Sequence, residues 1–131
     1  MARIPGAPAA VLRRMATDFR SGKEFPRRGR EEYGGYLWIL RLLDKARAEA
    51  AGTIHDYIYP CPMDRGVMER WGITRAEFEA AVAADSSDAG ILAWLKTRVD
   101  DSHRDAANRW LTQEKAASMD RQDSEEGVVA A

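Results

Sequence analysis

The chain has little sulfur or imidazole chemistry: one cysteine, Cys61, and two histidines, His55 and His103, in 131 residues. A lone cysteine forms no intrachain disulfide, and no cysteine pair stands at zinc-binding spacing, so a reducing, cytoplasmic setting is expected. His55, Asp56, Cys61 and His103 match no closed metal-site spacing, so neither a metal nor a cofactor is expected. No apolar run reaches the roughly 18 residues that a spanning helix needs. Arginines break the N-terminal stretch before it is long enough for the core of a secretion signal, so no membrane association is expected. Phosphate-cradling glycine loops, the zinc-protease pair of histidines and the serine nucleophile elbow are also missing. Twenty basic residues against twenty-one acidic ones leave a net charge of −1, too little to draw the chain toward nucleic acid or membrane.

What is present describes one folded domain. The length suits a single core, and 45% hydrophobic with 31% charged residues is an ordinary globular balance. Val11, Leu12, Met15 and Phe19 stand at helical spacing over 9–20. A basic loop follows over 23–30, and the longest helical signal then runs over about 36–51 to Gly52. Residues 53–60 read as an extended connector, and Met63–Trp71 as a short helix. Thr74 and Glu77 form a capping box, Ser86 or Ser87 caps the next helix, and Asp101 or Ser102 the last. The expectation is an all-α bundle of about five helices over 1–118, with a polar tail over 119–131 that frays. Trp38, Trp71, Trp94 and Trp110 fall in different helices and read as core packing.

Charge is uneven along the chain. Residues 1–50 hold eleven basic and six acidic side chains, and residues 51–131 nine and fifteen. Arg27, Arg28 and Arg30 concentrate in the basic loop, which reads either as a phosphate-binding patch or as a basic half folding against an acidic half. Aromatic interleaving is thin, so the second reading is favoured and nucleic acid is the weaker option.

The central helix carries the most information. Advancing 100° per residue places Tyr36, Leu37, Ile39, Leu40, Leu43, Ala46 and Ala50 on one face, with Arg41, Lys45 and Glu49 opposite and toward solvent. Arg47 falls on the apolar face with Asp44 at its edge, three residues earlier. A buried guanidinium needs a partner, so Arg47 and Asp44 either form a structural pair or line a cleft for an anion. Gly34 and Gly35 either seat an anion at the helix start or permit close helix approach, the latter being favoured. In the connector, prolines flank Cys61, Asp64 is placed to cap the next helix, and Tyr57 and Tyr59 supply hydroxyls. Cys61 reads as a buried small side chain near the central helix rather than a nucleophile.

The run GGYLWILRLLDKARA, then GTIHDYIYPCPMDRGVMERWGI, TRAEFEAAVA and ILAWL, resembles an uncharacterised bacterial family known as domain of unknown function 5069, over roughly residues 24–98. The shared features are a glycine–glycine–aromatic start, an aspartate–lysine–alanine–arginine run, a tyrosine-rich connector and a cysteine–proline–x–aspartate turn. The resemblance implies a compact, mostly helical cytosolic protein in which Arg41, Asp44, Lys45, Arg47, Tyr57, Cys61 and Asp64 match the pattern. The tail beyond Ala117 departs from it.

Together these observations make Arg47, Asp44, Arg41, Lys45, Tyr57, Tyr59, Cys61 and Asp64 the candidate ligand-binding residues. The favoured function is binding of a small anionic ligand, with cofactor-free catalysis left open, in a polar cleft on the central helix. In that cleft Arg47 would anchor the anion, Asp44 would orient it or act as base, and Tyr57 or Cys61 would be the donor. A protein-interaction module using a patch around Trp38 and Leu42 is the alternative, phosphate-backbone binding by residues 23–30 is a third reading, and a homodimer is compatible with each.

Overall fold

A computed structural model describes residues 18–127. Among these, six α-helices follow one another: α1 Ile39–Ala51, α2 Pro62–Trp71, α3 Arg75–Ala84, α4 Asp88–Arg98, α5 Asp101–Arg109 and α6 Ala116–Glu125. A π-helical turn, Trp110–Glu114, joins α5 to α6. No strand forms among the described residues; Tyr33 and Tyr36 make an isolated bridge. The all-α expectation is met, with one helix beyond the expected five. The helix expected over 9–20 lies outside the described residues except for 18–20, which are not helical.

Helix α1 starts three residues later than the periodicity predicts. Gly34 and Gly35 take positive φ values of 60° and 93° and close the turn that pairs Tyr33 with Tyr36. The pair therefore neither opens α1 nor lies within it. Trp38 is held in a left-handed conformation at the helix N-cap, and its backbone N–H donates to the Gly29 carbonyl at 2.8 Å. Its ring is fully buried against Gly29, where a Cβ would come within 2.3 Å of the indole. Every residue from Ile39 to Ala48 is buried. The helix is thus enclosed all round, not amphipathic, and a helix of that kind must partner its polar groups inside the protein.

The core gathers Tyr36, Trp38, Leu43, Trp71, Phe78, Ile91, Leu95 and Leu111 around α1. Trp94 and Trp110 pack against it from its edge, so all four tryptophans contribute to packing. Helix α2 lies against α5. Gly66 allows that approach, since a Cβ there would stand 2.1 Å from the Trp110 ring. The tail expected to fray after Met119 is instead helical to Glu125. Met119 is fully buried in the core, and that contact holds α6 against the bundle.

Capping carries much of the local order. Thr74 and Glu77 form the expected box on α3, Ser87 caps α4, and Asp100, rather than Asp101 or Ser102, caps α5. Asp100 accepts from the His103 backbone N–H and ring, and from the Ser102 hydroxyl, which holds its carboxyl well below the ordinary range. The Thr74 backbone N–H, then Arg98, lower Glu77 in the same direction. Both groups resist protonation in the folded state, so the unfolded chain binds more protons as acid is added. Stability should be level above the ordinary carboxylate range of about 4 and fall as pH drops through the lower folded values. Asp100→Asn, which keeps a capping oxygen, should lose less stability per pH unit in acid than the wild type. Thermal unfolding followed from neutral pH to about 3 checks this, and equal slopes would contradict it.

Candidate functional site

The eight candidate residues do not converge on one cleft. The charged residues of α1 and the tyrosines of the connector divide among four networks, the first and third touching where Arg41 Nη1 donates to the Arg27 carbonyl at 3.4 Å. The first contains Asp44 and Arg47. Asp44 accepts from the Arg27 backbone N–H at 2.8 Å, Nε at 3.0 Å and Nη2 at 2.8 Å. Arg27 also reaches both Asp88 oxygens, at 2.7 and 2.9 Å. Its bonds to Asp88, then to Asp44, hold the Arg27 guanidinium far above its ordinary pKa, and Arg27 in turn lowers Asp88. Arg47 is 8% exposed, lies 3.6 Å from Asp44, donates to the Ser86 carbonyl through Nε at 2.8 Å, and contacts Asp88 at 3.1 Å. The expected Asp44–Arg47 pair forms, but the closer partner of Asp44 is Arg27 from the basic loop. These groups satisfy one another, and none of them is among the described residues that line the cavity beside Tyr57.

The second network is sealed. Lys45, expected in solvent, is 3% exposed, and its Nζ donates to Asp64 at 2.6 Å. Asp64 is fully buried and also accepts from Trp38 Nε1 at 2.8 Å and the Cys61 backbone N–H at 2.9 Å. Asp64 is therefore not the N-cap of α2. Cys61 is, its Sγ accepting from the Asp64 N–H at 3.4 Å, while Pro62 opens the helix and Asp64 closes a capping box from the third position. The cysteine–proline–x–aspartate spacing is thus a sulfur version of that box, with the aspartate additionally bound to a lysine and an indole. Cys61 is half-buried rather than largely buried.

The third network is built on Arg41, also expected in solvent and found 3% exposed. Its Nη1 and Nη2 fork the two oxygens of Glu126 at 2.9 and 2.7 Å, and Tyr57 donates its hydroxyl to the same carboxylate at 3.1 Å. The guanidinium lies over the Trp38 ring at 5.6 Å and the Tyr57 ring at 5.8 Å, and its buried Nε has no hydrogen-bond partner. Burial opposes the charge on Arg41, yet the Glu126 fork outweighs it and raises the pKa. Burial, then the neighbouring Glu126 charge, pushes the Tyr57 hydroxyl far above its ordinary value. Glu126 and Tyr57 line a cavity of about 270 Å³ together with Phe19, Phe25, Glu24, His55, Asp56 and Glu125.

Tyr59 belongs to the fourth network, donating to Glu79 at 3.1 Å beside a smaller apolar cavity of about 110 Å³. The basic loop is consumed internally: Arg28 pairs with Asp123 at 2.7 Å and Arg30 with Asp120 at 2.6 Å. Sequence reasoning missed Asp88 and Glu126, and placed Arg27 in the basic loop without its partners on α1 and α4. The available signal was the Asp120, Asp123, Glu126 spacing, three residues apart and so facing one way on a helix.

Removing Arg47 takes a charged donor from the Ser86 carbonyl and the second cation from Asp44 and Asp88, both of which keep Arg27. Arg47→Ala should therefore destabilise by about 2 kcal/mol, the scale of a buried hydrogen bond to a charged group. Cys61→Ser, which offers a hydroxyl to the same N–H, should change stability by less than about 0.5 kcal/mol. Denaturant unfolding of both variants measures this, and comparable losses would contradict the assignments.

No curated protein matches the chain. A family model described as a domain of unknown function, DUF5069, matches residues 23–130. The match extends past Ala117, so α6 and Glu126 lie within the shared region rather than in a departing tail. The chain belongs to the DUF5069 family.

Proposed function

We propose that the protein binds a small carboxylate at Arg41, beside the cavity next to Tyr57, in a cytoplasmic setting. The observation that carries this reading is the fork between Arg41 and Glu126. An enclosed arginine between two aromatic faces, with a tyrosine hydroxyl on the same carboxylate, is an arrangement suited to carboxylate recognition. Here the chain's own Glu126 fills it, one residue beyond the end of α6 and on the wall of a cavity. Glu126 thus stands in for a ligand carboxylate, and ligand entry requires it to swing aside. The anchor is Arg41 rather than the expected Arg47, because Arg47 and Asp44 are occupied by Arg27, Asp88 and Ser86.

The other readings draw less support. Trp38 and Leu42, the proposed interaction patch, are fully buried. Arg27, Arg28 and Arg30 each hold a carboxylate of the same chain, which leaves little for a phosphate backbone. No described helix is long and apolar enough to cross a membrane.

Glu126→Ala leaves Arg41 as a buried cation without its counterion and should cost about 3 kcal/mol. Butyrate at constant ionic strength should then raise the melting temperature of the variant progressively with its concentration, and raise that of the wild type far less. Equal shifts with butyrate and chloride in the variant would contradict the proposal.

A further inference from the structure

The cavity beside Tyr57 has an asymmetric chemistry. Among the described residues no lysine or arginine lines it, whereas Glu24, Asp56, Glu125 and Glu126 all do. Glu126 is neutralised by Arg41. Asp56 faces the His55 ring at 3.3 Å. Glu24 and Glu125 make no ion pair among the described residues. Phe19, Phe25 and Tyr57 supply aromatic surface in the same lining, with Phe19 and Tyr57 packed edge to face at 5.2 Å.

Once Glu126 withdraws, its place beside the Arg41 guanidinium accepts a carboxylate, while the rest of the lining stays acidic and aromatic. A simple carboxylate would satisfy the first requirement only. A ligand carrying an ammonium group as well would meet Glu24 and Glu125, and aromatic faces favour such a cation. Resting on the Arg41 reading, we infer that the ligand is an amino-carboxylate. Its carboxylate replaces that of Glu126, its short hydrocarbon lies against Phe19, Phe25 and Tyr57, and its ammonium faces Glu24 and Glu125. The buried Arg41 Nε, which has no acceptor with Glu126 in place, is a further donor available to a differently seated carboxylate.

The test compares γ-aminobutyrate, butyrate and butylamine by calorimetry on full-length Glu126→Ala at neutral pH and fixed ionic strength, with Glu126→Gln as a second background should the alanine variant fold poorly. γ-Aminobutyrate should bind roughly three- to tenfold tighter than butyrate, as two solvent-exposed ion pairs allow, and butylamine should bind weakest. The advantage should disappear when Glu24→Gln and Glu125→Gln are added together. If butyrate binds as tightly as γ-aminobutyrate, or the advantage survives both substitutions, the amino-carboxylate inference fails while carboxylate binding at Arg41 stands. If neither carboxylate binds on either background, the Arg41 reading fails and this inference with it.

Discussion

Burying Arg41, Asp44, Lys45 and Arg47 within the first helix places four formal charges where water does not reach. Each such ion costs several kcal/mol to desolvate unless a partner and further hydrogen bonds receive it. The partners come from different parts of the chain. Asp64 arrives on α2, Arg27 on the loop before α1, Asp88 on α4, and Glu126 beyond α6. Satisfying α1 therefore fixes where four other segments pass, and an arrangement that misplaced any of them would leave a charge stranded. Apolar packing supplies the core, while these ion pairs constrain which packing is adopted.

The apolar stripe, the capping box on α3 and the closing glycine at 52 were legible because each is a local rule, satisfied by residues within one turn. The environment of α1 was not. A helical wheel assumes one wet face, and on that assumption Arg41 and Lys45 belong in solvent; both are buried because a basic loop, α2 and the α6 end close over that side. Asp64 was placed at the right helix start but in the wrong role, because a cysteine N-cap is an unusual member of the capping set. The fate of 119–126 depended on contacts more than eighty residues away, with Arg30 and Arg41; the uneven charge pointed to a basic half meeting an acidic one, but not to which residues pair. Asp44 with Arg47 was legible as a pair, since three residues is one turn, whereas Arg27 as the stronger partner was not.

The networks differ in how firmly they are closed, and this bears on function. Lys45 and Asp64 are held among an indole and a backbone amide and are almost wholly shielded from solvent. Asp44 is held by three Arg27 donors. Arg41 alone among the α1 cations depends on a carboxylate near the end of the described chain that also lines a cavity. A structural pair and a displaceable one are thus built on the same helix, and the chemistry that stabilises the fold also prepares the binding fork.

The most direct measurement is a crystal structure of Glu126→Ala grown in butyrate. The account predicts a butyrate carboxylate forked by Arg41 and accepting the Tyr57 hydroxyl, with its chain in the adjoining cavity. Arg41 turned out to solvent, or butyrate bound elsewhere with the fork empty, would contradict it.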